Sequence, residues 1–339
     1  MPFTIQAGFC AIEVVERMNP NGITTVLITG SSGTIGTALM QRLLSSGYEV
    51  YGLDTIANRW EPSLNKRTFI ADLTDKRELR DLPTEIDIIV HLGAHARVHR
   101  LVEEPKYALE NLEMTFNILE QARQLDIPHF LFASSREVYG NNDGIVYTEG
   151  ETNADRCESP YTASKMGGEA MVQSYNNCYD LSTCIVRFSN VYGRYDRSDR
   201  VIPQFIARSS QGEPLTVYGA EKVLDFTYLD DCVDGVTSMI ENFPKISGKT
   251  LNISSGRGAS LIELAQEINE KTPQNSDITV EPSRPGEVKR YVGDISTAQK
   301  LLGYDPEYSL SEGLEKTIDW YHDNLGTWRN SQNELSHTK

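Results

Sequence analysis

The stretch TTVLITGSSGTIG, residues 24–36, carries the pattern that decides the fold of this 339-residue chain. Its first part is a β-branched apolar run ending at a glycine, which is typical of a buried parallel strand. Gly30, Gly33 and Gly36 then lie directly before a predicted helix that closes at Gly47. Tight strand–helix turns also use glycine, but glycines here let the backbone approach a pyrophosphate at the helix N-terminus. The stretch therefore predicts a dinucleotide-binding turn.

Short apolar runs alternate with helical patterns from this turn as far as Gly193. Further strands are predicted at residues 49–54, 67–73, 86–94, 129–135 and 182–193, with helices at 104–125 and from about Tyr161. Strand–helix alternation implies right-handed crossovers between parallel strands. We predict an α/β fold, a Rossmann-type doubly wound parallel sheet with a smaller mixed α/β substrate-binding domain.

The texture of the sequence changes after Gly193, where elements shorten and proline-containing turns such as SRPGE appear. LDFTYLDDCVDGV and TLNISSG still have the pattern of strands that could return to the sheet. We therefore predict an interleaved organisation. Its parts are an N-terminal extension (1–22), an NAD-binding Rossmann domain (23–190), a mainly substrate-binding domain (191–325) and a C-terminal tail (326–339).

The acidic composition of the chain limits the kinds of partner that it can bind. Lys and Arg number 32 against 48 Asp and Glu, a formal net charge of −16, which argues against nucleic acid or an anionic membrane surface. An anionic small substrate would then need local arginines. No apolar run approaches the length of a membrane span, and the N-terminal extension makes a poor signal peptide. The five cysteines are odd in number and lack metal-ligand spacing, so we expect free thiols, no metal and a cytoplasmic location.

A candidate cofactor site follows the first strands. Asp54 closes the second strand at the distance expected of a ribose-binding acid and would repel a 2′-phosphate, which favours NAD, although Arg59 leaves NADP open. Asp72 and Leu73 end the third strand, where they could border an adenine or simply cap a loop. The candidate cofactor-binding residues are Gly30, Gly33, Thr34, Ile35, Gly36, Asp54, Asn58, Arg59, Asp72, Leu73, Leu92, Gly93 and Ala94.

A candidate reaction centre lies in SPYTASKMGGEAM, residues 159–171. Tyr161 and Lys165 are four residues apart, so both can face one side of a helix. A nearby cation lowers the pKa of a phenol, and the resulting phenolate can remove a hydroxyl proton as hydride leaves the same carbon. Ser135, at the end of the fifth strand, could hydrogen-bond the same oxygen. Such a pair is often only a surface pair, but its place after a dinucleotide turn favours catalysis.

The motifs GSSGTIG, HLGA, ASSREVYG, YTASK, RFSNVYG and SRPGEV occur in the order and spacing of extended short-chain dehydrogenase/reductases. Over about residues 24–320 the sequence resembles their NAD-dependent nucleotide-sugar epimerases and dehydratases. The resemblance implies Ser135, Tyr161 and Lys165 as the catalytic set, with Tyr161, Lys165 and Asn111 also serving the cofactor site. It further implies a homodimer built from helices near 105–124 and 161–177, and contacts to the substrate's nucleoside diphosphate from Asn190, Val201, Arg284 and Tyr291.

Two positions depart from the pattern of these relatives. Leu224 stands where epimerases commonly have a diphosphate-binding arginine, which Lys222 could replace. Similar 4,6-dehydratases have an Asp-Glu pair where this chain has Arg136 and Glu137. Arginine stays protonated and cannot donate a proton usefully, which disfavours dehydration. Glu137 could still act as a base, or could only accept a hydrogen bond at the strand end.

VYGRYDRSDRVIP, residues 191–203, brings Arg194, Arg197 and Arg200 into an otherwise acidic chain. The position of Arg197 resembles an arginine of uronate-handling relatives, and a guanidinium fork suits a C6 carboxylate; Arg136 is a second candidate for that contact. A solvated loop or a diphosphate clamp would explain these arginines equally well. We predict an NAD-dependent nucleotide-sugar 4-epimerase acting through a 4-keto intermediate on a UDP-hexuronate or UDP-hexose. UDP-glucuronate decarboxylase, 4,6-dehydratase, a simple sugar dehydrogenase and a non-enzymatic NAD-binding protein remain alternatives.

Overall fold

The computed structural model describes residues 22–80, 82–142, 144–196 and 200–324. The strands in these ranges are β1 (Thr25–Thr29), β2 (Glu49–Asp54), β3 (Thr68–Ile70), β4 (Ile88–His91), β5 (His129–Ser135), β6 (Val146–Tyr147), β7 (Ser182–Phe188), β8 (Asn190–Tyr192), β9 (Leu215–Tyr218), β10 (Val223–Tyr228), β11 (Thr250–Ile253), β12 (Gly258–Ser260), β13 (Ile278–Glu281) and β14 (Arg290–Gly293). The α-helices are α1 (Thr34–Ser45), α2 (Val98–Glu103), α3 (Lys106–Gln124), α4 (Pro160–Cys178), α5 (Val201–Ser209), α6 (Leu229–Glu241), α7 (Phe243–Ile246), α8 (Leu261–Lys271), α9 (Ser296–Leu302) and α10 (Leu310–Asp323).

The main sheet has seven strands in the order β11-β7-β5-β4-β1-β2-β3, and every neighbouring pair in it is parallel. This confirms the predicted doubly wound α/β fold. The chain runs outward from β1 to β3 and then returns to β4 on the other side of β1. At such a switch point the loops that follow adjacent strands diverge and leave a crevice for a ligand.

Apolar side chains cover both faces of this sheet, as expected of parallel strands between helices. One buried cluster joins the sheet to α1 and α6 and includes Leu39 and Val236. The other joins it to α3 and α4 through residues such as Ile118 and Val172. Helix α4 is thereby fixed beside β5, with its first turn at the carboxyl edge of the sheet.

The predicted strand over residues 182–193 is wrong as a single element. The chain forms β7 and β8 with a break at Ser189, whose hydroxyl hydrogen-bonds that of Thr227. β7 belongs to the main sheet, whereas β8 pairs with β10 in a second sheet. Both halves are apolar, so the sequence pattern did not reveal the change of sheet.

The prediction for the returning segments holds in part. TLNI forms β11 at the edge of the main sheet, but the strand in LDFTYLDDCVDGV ends at Tyr228. From Leu229 the residues form α6, which has Asp230 and Asp231 in its first turn, where carboxylates complement the helix dipole.

The substrate-side region is built on a second sheet ordered β12-β10-β14-β6, with β8 also on β10, and on the pair β13-β9. A separate apolar cluster that includes Phe205, Phe226 and Leu264 holds these strands to α5, α8 and α10. The proposed boundary at residues 190 and 191 stays a prediction. Residues 1–21 and 325–339, which comprise nearly all of the predicted extension and the whole tail, lie outside the described residues.

Candidate active site

The glycine-rich turn after β1 is shaped by close backbone contacts. Gly30 has a φ of 68°, and a Cβ there would lie 2.9 Å from the backbone nitrogen of Gly93. A Cβ on Gly36 would lie 2.3 Å from the Gly30 carbonyl oxygen. Gly33 is the N-cap of α1 and provides no capping side chain, and the first turn holds no acidic residue. The first N–H groups of α1 thus suit an anionic group such as a pyrophosphate.

Asp54, at the end of β2, lies beside this turn. Its carboxylate accepts hydrogen bonds from the backbone N–H of Ser32 at 2.9 Å and of Ile56 at 3.2 Å. These bonds fix an acid next to the anion-binding turn, which is the arrangement that a dinucleotide ribose requires. Asn58 instead organises the following loop, because its amide donates to Thr37 and its side-chain oxygen accepts from two backbone N–H groups.

The predicted adenine and nicotinamide borders lie at the ends of β3 and β4. Asp72 caps its own turn by accepting from Thr74, and Leu73 is buried against Gly93. Asn111 of α3 accepts from the backbone N–H of His95 and donates to the hydroxyl of Ser164 on α4. Asn111 therefore ties the loop after β4 to the helix that carries the predicted catalytic residues. Thr34 and Ile35 begin α1, while Leu92 and Ala94 follow β4. All four are partly exposed, and Arg59 is exposed.

The structure brings Ser135, Tyr161 and Lys165 together where β5 ends and α4 begins. Ser159 caps α4, and Pro160 occupies its first turn, so the helix starts one residue before Tyr161. The Lys165 ammonium donates to the carbonyl of Ala133 at 2.8 Å and lies 5.9 Å from the centre of the Tyr161 ring. The side chains of Ser135 and Tyr161 share a hydrogen bond.

Two glycines let α4 approach its neighbours closely. A Cβ on Gly168 would lie 2.6 Å from the Phe132 ring of β5, and one on Gly167 would lie 2.8 Å from Leu112 of α3. The close packing at Gly168 is what brings the Lys165 side chain within reach of the β5 backbone.

Burial dominates the protonation of this centre. It raises the pKa of Tyr161, against the opposing effects of the Ser135 hydrogen bond and of Arg200 and Arg136. It lowers the pKa of Lys165 to about 8. The sequence predicts a lowered pKa for Tyr161, whereas in the protein without ligands burial raises it.

His91, at the end of β4, is a neighbour that the sequence analysis did not single out. Burial, with Lys165 adding to it, lowers the pKa of His91 to about 3. The neutral ring bonds the hydroxyls of Thr29 and Thr115. It thus holds the strand ends together without adding a charge beside Lys165.

Arg136 and Glu137 form a buried ion pair directly after Ser135, with Nη2 and Oε1 separated by 2.8 Å. Among the described residues, the Arg136 Nη1 and Glu137 Oε2 atoms are buried without a hydrogen-bond partner. Burial raises the pKa of Glu137, and Arg136 opposes that rise. A donor and an acceptor are therefore available next to the reaction centre.

A second buried ion pair joins Lys222 to Glu287 of the SRPGEV motif. Leu224 is buried on β10, opposite Tyr291, so the chain has an apolar side chain where relatives commonly have arginine. Lys222, directly before β10, is the residue whose charge could replace that arginine. Glu287 was missed from the sequence because its partner lies 65 residues away.

The other residues predicted to contact the substrate lie on separate elements of the second half of the chain. The Asn190 amide donates to the carbonyl of Asp225, Arg200 precedes Val201 at the start of α5, and the Arg284 guanidinium lies 4.1 Å from the centre of the Tyr218 ring. Arg197 lies outside the described residues.

Tyr291 has none of its surface exposed and stacks with Tyr139 and Tyr147. Its hydroxyl lies 3.2 Å from that of Ser254. The diphosphate contact that the resemblance implies for Tyr291 stays a prediction.

The model of the NAD dependent epimerase/dehydratase family matches residues 26–254. The chain belongs to this family. The match covers both the dinucleotide turn and the Ser135–Tyr161–Lys165 centre, and NAD is accordingly the cofactor of this enzyme. The residues that would hold NAD are those of the glycine turn, Asp54, Asn111 of α3 and Lys165 of α4.

Several relatives, some with a named function and some of known structure, have similar chains. The UDP-glucuronate 4-epimerase of Thermodesulfobacterium geofontis is 28% identical, over 88% of this chain and 96% of its own. The dTDP-glucose 4,6-dehydratase DesIV of Streptomyces venezuelae, solved with NAD bound, is 28% identical with a TM-score of 0.84, over 91% of this chain and all (100%) of its own. MoeE5, solved with UDP-glucuronic acid and NAD, is 29% identical with a TM-score of 0.80, over 89% and 100%.

Within the described ranges, no group of three or more His, Cys, Asp or Glu side chains is arranged to hold a metal ion. None of the helices in those ranges combines the length and apolarity that crossing a bilayer requires.

Proposed function

We propose that this family member is a nucleotide-sugar 4-epimerase that acts on a UDP-hexuronate, interconverting UDP-glucuronate and UDP-galacturonate. The observation that carries the proposal is the buried Ser135–Tyr161–Lys165 centre, with the unpaired Arg136 donor directly beside it. The similar UDP-glucuronate 4-epimerase and the MoeE5 complex support the choice of substrate.

In this mechanism Tyr161 takes the proton of the sugar 4-hydroxyl, while Ser135 hydrogen-bonds the same oxygen. NAD, held by the glycine turn, Asp54 and Lys165, would supply the hydride acceptor for C4 and would be regenerated in each turnover. Lys165 stabilises the Tyr161 phenolate and holds the cofactor ribose. Tyr161 then returns the proton after the 4-keto sugar has turned its other face to the cofactor, which inverts C4.

The restraint on the sugar carboxylate decides whether carbon dioxide is lost. In a 4-keto uronate the carboxylate is β to the ketone, so an epimerase must hold it out of line with the carbonyl orbital. Arg136 Nη1 is a buried, charged donor that can bind such a carboxylate. Arg197 is a second candidate from the sequence. If Arg136→Ala leaves the turnover of uronate and its products unchanged, Arg136 does not serve this role.

Decarboxylation of UDP-glucuronate is the second candidate. It is favoured by Glu137, a buried carboxyl with a raised pKa and an unpaired Oε2 near the same site. A proton NMR time course with UDP-glucuronate and catalytic NAD separates the two reactions. UDP-galacturonate supports epimerisation, whereas UDP-xylose or a 4-keto pentose supports decarboxylation. Stoichiometric absorbance at 340 nm would instead indicate a simple dehydrogenase.

We also propose a homodimer formed by α3 and α4. Leu109 on α3 is 68% exposed and Phe116 is 38% exposed on the same face. The adjacent surface of α4 presents the small exposed residues Ala163 and Ala170, which large apolar side chains of a second copy could cover. Sedimentation of the Leu109→Glu variant tests this, since loss of the dimer is expected and an unchanged mass contradicts the interface.

A cytoplasmic location remains a proposal that rests on the cysteines. Cys157, Cys178, Cys184 and Cys232 are free thiols in the structure, which suits a reducing compartment. Cys10 lies outside the described residues.

A further inference from the structure

Glu169 lies one turn beyond Lys165 on α4 and meets the same strand. The Lys165 ammonium donates to the carbonyl of Ala133, and the next residue, Ser134, donates to the Glu169 carboxylate at 2.5 Å. The two side chains therefore bond consecutive residues of β5. A carboxylate and an ammonium four residues apart on a helix face are close enough to interact.

Arg187 on β7 fixes the position of this carboxylate. It lies opposite Ser134 in the sheet, and its Nε and Nη2 atoms bond the two Glu169 oxygens at 2.8 and 2.7 Å. Arg187 is itself held by the carbonyl of Glu149 at 2.7 Å. The side chains of Arg187 and Glu169 are only 4% and 14% exposed. The carboxylate is thus a fixed charge behind Lys165.

We infer that Glu169 is a positioning residue that keeps Lys165 charged and oriented for the reaction. The inference rests on the proposed function, in which the Lys165 ammonium stabilises the Tyr161 phenolate. Burial alone favours the neutral amine and lowers the Lys165 pKa, whereas the negative charge of Glu169 raises it. Glu169 therefore widens the pH range in which Lys165 remains an ammonium.

Other ionisable groups on elements beside α4 do not replace this charge. His91 on β4 is neutral, and Arg136 and Glu137 after β5 pair with each other. Glu110 of α3 bonds His95. Removal of the Glu169 charge should therefore lower the pKa of Lys165, and the neutral amine would no longer support the Tyr161 phenolate.

The test is the Glu169→Gln variant of the full-length, NAD-loaded enzyme, because glutamine keeps the size and can still bond Ser134. The ¹³Cε resonance of Lys165 is titrated directly, and kcat is measured against pH with UDP-glucuronate. We expect the Lys165 pKa and the alkaline limb of kcat to fall together by about 0.5–1 pH unit. KM should change less than about twofold, since no substrate contact is altered.

Two further variants separate an effect of the Glu169 charge from a folding defect and from the loss of a hydrogen bond. If Arg187, left buried without its carboxylate partner, prevents folding, Glu169→Gln is combined with Arg187→Gln, which removes both charges. A downward shift smaller than that of the single variant is then expected, because the Arg187 cation no longer opposes the charge on Lys165. Ser134→Ala is the matched control, because it removes a hydrogen bond and leaves both charges, so the Lys165 titration should stay in place.

An unchanged Lys165 titration in the folded charge variants overturns the role of Glu169, whether or not the enzyme is an epimerase. A shifted titration in an enzyme that turns over no nucleotide sugar overturns the proposed function, while it still supports the electrostatic coupling.

Discussion

Replacement of Lys165 by methionine should stabilise the cofactor-free protein while it abolishes the reaction. Lys165 is 6% exposed, so its ammonium loses most of its hydration when the chain folds. This loss of hydration disfavours the charged form in the folded protein. Burial lowers its pKa from the ordinary 10.5 to about 8. Methionine has nearly the same length and no charge, so the free-energy cost of burying the ammonium disappears in the variant.

The magnitude follows from linkage between protonation and folding. A pKa about 2.5 pH units below its ordinary value corresponds to about 3 kcal/mol of instability at pH 7, at 1.36 kcal/mol per unit. Between about pH 8 and 10.5 the unfolded chain binds this proton and the folded chain does not, so wild-type stability rises with pH in that window. Loss of the bond to the Ala133 carbonyl offsets about 1 kcal/mol of the gain.

The assay is urea unfolding of NAD-free wild type and Lys165→Met at pH 7 and pH 9.5, because bound NAD would add its own stabilisation. We expect the variant to be about 2 kcal/mol more stable at pH 7, with the difference shrinking to below about 1 kcal/mol at pH 9.5. A variant less stable than wild type at pH 7, or a difference independent of pH, would refute the reasoning. Lys165 would then not carry a strained charge in the folded protein.

Other outcomes follow from the same geometry. Tyr161→Phe should lower kcat by about 10²–10⁴-fold in the NMR assay, because the hydroxyl proton loses its acceptor; full activity would remove Tyr161 from the mechanism. Gly168→Ala should lower the free energy of unfolding by about 1–3 kcal/mol, since its Cβ meets an aromatic ring of the sheet at 2.6 Å. Gly167→Ala is the control, because its Cβ would meet the flexible side chain of Leu112. It should lower the free energy of unfolding by less, as measured by thermal unfolding. Arg284→Ala should raise KM about tenfold with kcat kept, if it binds the diphosphate; an unchanged KM contradicts that contact.

The parts of the site predicted from sequence are those fixed by local spacing. Gly30 and Gly36 belong to one turn, and Tyr161 and Lys165 to one helix face, so their geometry follows from backbone periodicity. Asp54 was predictable because strand ends in a parallel sheet meet at one edge.

The parts that were missed depend on packing between distant segments. Lys222 and Glu287 pair across 65 residues, and no local pattern marks either as a partner of the other. The core position of Tyr291 follows from its ring contacts with Tyr139, in the short turn after β5, and with Tyr147 on β6. Glu169 did carry a local signal, since it lies four residues after Lys165, but its bonds to Ser134 and Arg187 required the sheet register.

The buried cations on the substrate side bear on how an acidic protein would bind an anionic sugar nucleotide. Arg136 and Lys222 are both buried, and each has a carboxylate partner, Glu137 and Glu287 respectively. Paired charges in a chain of net charge −16 create little long-range attraction for an anion. Recognition must therefore depend on donor atoms that point at the ligand within hydrogen-bond distance, and Arg136 Nη1 is one that the protein leaves unpaired. Because a bound carboxylate would satisfy this donor while a hydroxymethyl group would supply only a weaker, neutral acceptor, the unpaired donor supports the proposed uronate substrate over a hexose.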